Sequence, residues 1–127
     1  MRRSAIIILI ITAAVTAACG GSSYSNNSPS PSGAPISSGP DTVLIPSGAY
    51  VGPGNGFTPQ TLTVPAGTTV MWGNNDITTH TVTSDTGVFN SNNLNAANTF
   101  QFKFDNPGTY KYHCTIHSFM NGTIVVQ

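Results

Sequence analysis

The strongest constraint on the fold is a series of short segments in which apolar and polar residues alternate. Between residues 100 and 104, three phenylalanines alternate with Gln101 and Lys103, which is the pattern of a half-buried β-strand. Similar segments recur throughout residues 41–127, separated by turn signals rich in Gly, Pro and Asn. Since no window of about eleven residues there has a helical period, the sequence predicts an all-β domain.

This region is predicted to hold seven to eight short strands, as in a β-sandwich of two sheets. Its 87 residues suffice for a modest core, for which Trp72 and the alternating Phe and Tyr residues are the obvious material. Residues 48–56 are predicted to be loop, and residues 90–98 a loop or one helical turn. The predicted strands lie at 42–45, 61–64, 69–72, 79–83, 100–104, 109–114 and 123–126.

The amino terminus has the pattern of an export signal. Two arginines precede an apolar run over residues 5–15, which is too short to span a bilayer because spanning needs about 20 apolar residues. Small residues and then Cys19 follow, which resembles the lipobox of bacterial lipoproteins, with Thr16 where Leu is usual. We predict a signal peptide over residues 1–18 and a lipid on Cys19. Ordinary cleavage near Ala18, leaving Cys19 free or disulfide-bonded, is the alternative.

Residues 20–40 are almost entirely Gly, Ser, Pro and Asn, with Tyr24 and Ile36 as isolated larger side chains. Such a segment buries too little apolar surface to offset the entropy lost on ordering, so we expect disorder. The predicted organisation is therefore a lipidated, disordered tether over residues 19–40, followed by one folded domain over residues 41–127.

Charge and cysteine content exclude several classes of function. Only 6% of the residues are charged and the net charge is zero, so nucleic-acid binding by phosphate neutralisation is excluded. Two cysteines cannot build a disulfide-dense mini-protein. After the predicted cleavage the net charge is −2, which gives no attraction to anionic lipid, so membrane attachment depends on the lipid on Cys19.

The residues that carry chemistry are concentrated in one short connection near the carboxyl end. Cys114, His117 and Met120 are spaced three apart and offer a thiolate, an imidazole and a thioether. A tight loop between two predicted strands can direct all three at one point, and His80 can reach the same end of the sandwich from an adjacent strand. Two His and one Cys with a weak axial Met are the donors of a blue-copper electron-transfer site.

Each of these residues also has a simpler explanation when it is taken alone. Cys114 is explained as a buried structural thiol or as a disulfide partner of Cys19, His117 as a surface histidine, and Met120 as a core filler. None of these explanations accounts for all of the donors together. His113 alternates away from Cys114, so we expect it to point outward or to bond to a neighbouring loop.

At these residues the sequence resembles the cupredoxins, in particular the amicyanin, plastocyanin and pseudoazurin group. Residues 108–120 look like the ligand strand and loop, including Cys-x-x-His-x-x-Met, residues 57–72 look like the early strands, and residues 74–82 look like the first ligand segment. The resemblance covers residues 41–127. It implies an eight-stranded Greek-key β-sandwich with one mononuclear type 1 copper ion, held by His80, Cys114, His117 and Met120.

Three positions depart from the family pattern. Thr81 stands where many relatives carry an Asn that ties the two ligand loops together, and Ile116 and Ser118 stand where close relatives carry Pro. Ile116 and Ser118 keep backbone N–H groups that proline lacks. An N–H directed at the cysteine sulfur stabilises the reduced site, so these positions bear on its redox tuning.

We therefore predict a monomeric, membrane-anchored electron carrier, not an enzyme, facing the periplasm or the cell exterior. Redox partner proteins are expected to dock on an apolar face around His117 that includes Ile116 and Phe119. The alternatives are copper storage or delivery through the same ligands and an adhesion lipoprotein without metal. Zinc also occupies sites with two His and one Cys. A Cys–His hydrolase lacks a visible orienting acid or oxyanion motif.

Overall fold

The computed structural model describes residues 35–127. The predicted signal peptide, Cys19 and the predicted tether as far as residue 34 lie outside the described residues. No helix within residues 35–127 is long and apolar enough to cross a membrane. The described part of the chain holds seven strands and one turn of 3-10 helix, namely β1 (Thr42–Ile45), the 3-10 turn (Ala49–Val51), β2 (Thr61–Val64), β3 (Thr68–Asn74), β4 (Thr83–Ser84), β5 (Thr99–Phe104), β6 (Gly108–His113) and β7 (Asn121–Val126).

The strands form two sheets, which confirms the all-β sandwich. One sheet has the order β1-β3-β5 and the other has the order β2-β7-β6-β4. The pairs β1/β3 and β2/β7 are parallel, whereas β3/β5, β7/β6 and β6/β4 are antiparallel. Because β6 and β7 are antiparallel neighbours, the connection between them lies at one end of the sandwich.

Trp72 on β3 is the centre of the core between the sheets. Its ring is fully buried and lies 5.6 Å, centroid to centroid, from the rings of Phe89, Phe100 and Tyr112. Gly122 on β7 makes room for this cluster, because a Cβ atom there would overlap the Tyr112 ring. Burial of such large aromatic side chains is the main favourable term for a domain of this size.

The predicted strand over residues 79–83 is shorter than the alternation suggests. Only Thr83–Ser84 is strand, and His80 makes an isolated bridge with Leu94. The reason is that side chains take over much of the backbone hydrogen bonding here. For example, the N–H of Val82 donates to Oγ of Ser91 at 2.8 Å. The segment is therefore an irregular support for His80.

Candidate metal centre

His80, Cys114 and His117 place their donor atoms together at one end of the sandwich. Sγ of Cys114 lies 3.9 Å from Nδ1 of His80 and 3.7 Å from Nδ1 of His117, and the two Nδ1 atoms are 3.1 Å apart. A point equidistant from the three atoms is about 2.1 Å from each, close to ordinary metal–nitrogen and metal–sulfur bond lengths of about 2.0–2.3 Å. The donor triangle thus fits a single metal ion.

His80 is oriented by a buried hydrogen bond on the far side of its ring. Its Nε2 lies 2.9 Å from Oδ2 of Asp76 and 3.0 Å from Oγ1 of Thr78, whose hydroxyl itself donates to Asp76. Since a carboxylate only accepts, Nε2 carries a proton, and in the neutral ring the lone pair is on Nδ1, which faces Cys114 and His117. This tautomer is the one that binds a metal through Nδ1.

Asp76 is itself held in place as an ionised group. Burial raises its pKa, but the hydrogen bonds from His80, Thr78 and the N–H groups of Gly48 and Ile77 outweigh burial and hold the pKa at about 2. Burial lowers the pKa of His80, and the stronger effect of Cys114 and Asp76 raises it above its ordinary value. Asp76 therefore stays a carboxylate at neutral pH.

Asn74, the last residue of β3, builds the turn that carries Asp76. Its Nδ2 donates to the carbonyl oxygens of Thr78 at 2.8 Å and Leu94 at 2.9 Å, and its Oδ1 accepts the N–H of Asp76. Sequence reasoning missed Asn74 and Asp76 as supports for His80. A signal was present, because polar residues directly follow an apolar strand and precede a predicted ligand by a few positions.

The sulfur of Cys114 accepts backbone hydrogen bonds. The N–H of Thr81 donates to Sγ at 3.3 Å. Burial raises the pKa of the thiol, but His80 and the N–H groups of Thr81, His117 and Ile116 lower it to about 6. With a pKa of about 6, the thiolate is the larger fraction at neutral pH.

Thr81 joins the two ligand segments through its hydroxyl. Its Oγ1 accepts the N–H of Thr115 at 2.8 Å, lies 3.1 Å from Oγ1 of Thr115 and accepts a hydrogen bond from Oγ1 of Thr83 at 3.1 Å. The side chain is almost fully buried. Thr81 therefore ties the His80 segment to the Cys114 loop despite standing where many relatives carry Asn.

The loop from Cys114 to Met120 is closed by its own backbone. The N–H of Met120 donates to the carbonyl of His117 at 2.9 Å, and the N–H of Cys114 donates to the carbonyl of Met120 at 3.1 Å. Met120 is completely buried, and a Cβ atom added at Gly56 would lie 3.6 Å from it. His117 is only partly buried, so it is the donor nearest to solvent.

His113 lies outside the donor cluster. As the alternation predicts, it faces away from Cys114, and its Nδ1 lies 2.6 Å from Oδ1 of Asp85 on the surface. Both side chains are well exposed, so this pair contributes little to stability.

Comparisons with known proteins agree with this geometry. The family model of the cupredoxin-like domain matches residues 41–126. Amicyanin from Paracoccus versutus is 32% identical over 76 residues, covering 56% of this chain and 57% of that protein. Plastocyanin from Scenedesmus fuscus is 36% identical over 84 residues, covering 56% of this chain and 86% of that protein. The match to amicyanin thus spans less than two thirds of that relative's length.

A solved structure described as a novel purple cupredoxin from Nitrosopumilus maritimus superposes with a TM-score of 0.63 at 35% sequence identity. The match covers 68% of this chain and 98% of the purple cupredoxin. Fold, donor cluster and family match point the same way, and the cofactor that the donors fit is one type 1 copper ion. The chain belongs to the cupredoxin-like family of blue copper proteins.

Proposed function

We propose that the protein carries single electrons, with His80, Cys114 and His117 as equatorial ligands and Met120 as the axial ligand. The observation that carries this proposal is the donor triangle of one sulfur and two imidazole nitrogens, each 3–4 Å from the others. A bound copper ion supplies one-electron chemistry by alternating between Cu(I) and Cu(II), which this mixture of soft sulfur and imidazole donors accommodates.

The surrounding residues keep the donors in place while the charge of the site changes. Asp76 fixes the ring of His80, Thr81 fixes the Cys114 loop, and the backbone bonds of Met120 close that loop. Because His80 and the Cys114 loop are held by the protein independently of the metal, we expect little rearrangement on electron transfer and a low barrier. The proposed role is that of a carrier and not an enzyme.

His117 is the proposed point of electron exit and entry. It is the most exposed donor, and Ile116 beside it is 50% exposed. The ring of Phe119 lies 6.0 Å from that of His117 and is partly exposed. No charged residue occurs between Cys114 and Met120. A small, uncharged apolar face suits brief docking with redox partner proteins.

Visible absorption and electron spin resonance of the oxidised, copper-loaded full chain test the proposal. We expect an intense thiolate-to-copper charge-transfer band that Cys114→Ser abolishes and that the matched change His113→Gln leaves in place. A band that survives Cys114→Ser would refute the ligand assignment. Copper storage or delivery predicts rapid loss of Cu(I) to a weak chelator, whereas a carrier retains the ion over many redox cycles.

We also propose that the chain is exported and held at a membrane by lipid on Cys19, with the domain outside the cytoplasm as a monomer. The support is the sequence of the first nineteen residues. Incorporation of labelled fatty acid into the wild type but not into Cys19→Ser checks the modification. Labelling of both proteins, or of neither, would count against it.

A further inference from the structure

Ile36, within the segment predicted to be tether, is docked on the outer side of β3. Its N–H donates to Oδ1 of Asn75 at 2.7 Å, and Nδ2 of Asn75 donates back to the Ile36 carbonyl at 2.9 Å. The Ile36 side chain fills the space above Gly73, where an added Cβ would lie only 2.8 Å from its Cγ2 atom. The two hydrogen bonds and the close packing fix Ile36 at one place on β3, and we call this contact of Ile36 with Gly73 and Asn75 the Ile36 dock.

The dock lies at the metal end of the sandwich. Asn75 directly precedes Asp76, whose carboxylate holds His80. From Ile36, beside Gly73 and Asn75, the chain runs away from the metal end to Asp41, whose carbonyl accepts the N–H of Met71. β1 then returns toward the metal end, parallel to β3. Ile36, close to the start of the described residues, therefore lies beside the metal centre.

The carboxyl terminus lies at the opposite end. The N–H of Gln127 donates to the carbonyl of Val64, and the carbonyl of Gln127 accepts the N–H of Ala66. Along β6 the register runs from Gly108, opposite Val126, to the residue before Cys114. Five strand steps of about 3.3 Å put these ends roughly 17 Å apart.

We propose that the Ile36 dock turns the metal end toward the membrane, where the electron partner is a membrane-embedded redox protein. The inference rests on the proposed electron transfer and on the proposed lipid at Cys19. Sixteen residues separate Cys19 from Ile36, a reach of at most about 60 Å. Because an anchored body is restrained only at its exit point, that point is on average the part of the domain nearest the anchor.

The surface chemistry of the metal end agrees with such a partner. Ile77, in the turn before His80, is 79% exposed, and Ile116 is 50% exposed. The one charged residue of that turn, Asp76, is buried and paired. Lys103 and Asp105 form an ion pair near the opposite end of the sandwich. Their position follows from Phe104, which lies between them in the sequence and whose carbonyl accepts the N–H of Gly67 in the turn before β3.

Energy transfer to the bilayer tests the orientation. A dye is attached through Ile77→Cys in copper-loaded protein that also carries Cys19→Ser, and acceptor dyes are placed on vesicle lipids. The protein is anchored to nickel-chelating lipid by a histidine tag, either in place of residues 1–19 or after Gln127 through a linker that repeats the sequence of residues 20–35. We expect at least twofold higher transfer efficiency with the amino-terminal anchor. Equal efficiencies would overturn the proposal.

The dock is tested separately with Gly73→Ala, whose methyl group takes the space of the Ile36 side chain, and with Ile36→Ala, which leaves β3 intact. Both changes are expected to speed hydrogen exchange at the backbone N–H of residue 36 at least tenfold in copper-free protein. Both are also expected to lower the energy-transfer efficiency measured with the amino-terminal anchor. Unchanged exchange in Ile36→Ala would overturn the dock's role, even if Gly73→Ala fails to fold.

Two further outcomes separate this inference from the proposed function. A copper-loaded protein that is colourless would refute the proposed electron-transfer function. The energy-transfer measurement would still report how the domain is oriented relative to the bilayer. The reduced full chain is expected to give up one electron, with no bond broken, to the membrane fraction of the source cells faster than to their soluble fraction. Exchange confined to the soluble fraction, or binding of the untagged Cys19→Ser chain, which carries no lipid, to bare vesicles, would overturn the membrane-embedded partner.

Discussion

Oδ2 of Asp76 lies 2.9 Å from Nε2 of His80, with both side chains completely removed from solvent. The pair is four residues apart in the sequence, but no regular helix connects them. The turn built by Asn74 brings the carboxylate behind the ring, so that one nitrogen is protonated and the other faces the sulfur of Cys114. A group outside the donor cluster thus orients one of the candidate donors.

Asp76→Asn is expected to weaken copper binding about 10- to 100-fold. An amide group facing Nε2 removes the negative acceptor and favours the His80 tautomer whose Nδ1 carries the proton, which cannot bind the ion. Competition with a chelator of known affinity measures the effect. Asp105→Asn, at an exposed pair with Lys103, is the matched control and should leave the affinity unchanged. Equal affinities of all three proteins would contradict the role of Asp76.

The stability of the copper-free protein should fall in acid because of Asp76. The folded-state pKa of about 2 lies below the ordinary value of 3.8, so ionised Asp76 stabilises the fold above that value. About 2 kcal/mol is then lost as the pH falls from about 4 to about 2. Urea unfolding at a series of pH values measures the loss. Asp76→Asn should be less stable at pH 5 and show a smaller slope, and an unchanged slope would contradict the assignment.

Thr81→Val should destabilise the copper-free protein by about 1–3 kcal/mol, because the shape is kept but the N–H of Thr115 loses its buried acceptor. Chemical denaturation gives the free energy of unfolding, and faster hydrogen exchange at Thr115 locates the change. Thr83→Val removes a hydroxyl that only donates to this cluster, so its cost should be smaller. A reversed order of the two variants would contradict the tie between the ligand segments.

Met120→Leu should keep copper and raise its reduction potential, because the weak axial donor that we propose is replaced by a side chain of similar volume. Protein-film voltammetry measures the potential. Met71→Leu, a change on β3 at the outer face of the sheet, is the matched control and should leave the potential in place. An unchanged reduction potential in Met120→Leu would contradict the proposed axial role of Met120.

Gly122→Ala should destabilise the domain by about 3 kcal/mol or more, because the new methyl group overlaps the buried ring of Tyr112 beneath Trp72. Thermal unfolding followed by circular dichroism measures the shift. Gly56→Ala meets Met120 only at an ordinary contact distance of 3.6 Å and should be tolerated. If both variants unfolded at the wild-type temperature, the packing of β7 against the core would be looser than described.

Much of the fold followed from local pattern. Alternation over residues 100–104 predicted β5, and the short spacing of Cys114, His117 and Met120 predicted a single loop at a strand end. These features are readable because a strand has a period of two and a loop of seven residues allows few arrangements. The same reasoning predicted too long a strand at residues 79–83, where side chains bond to backbone groups that would otherwise pair with a neighbouring strand.

The sequence by itself determined the sheet-forming segments and the metal-binding donor types, since both depend on residues close together in the chain. Only the tertiary structure decided that Asp76 orients His80, that Thr81 bonds to Thr115 and that Ile36 docks on Asn75. The last two contacts join residues 34 and 39 positions apart, and the first depends on a turn held by the distant Leu94. No local period encodes such partners, because a polar side chain can satisfy its hydrogen bonds with any group that folding brings near it.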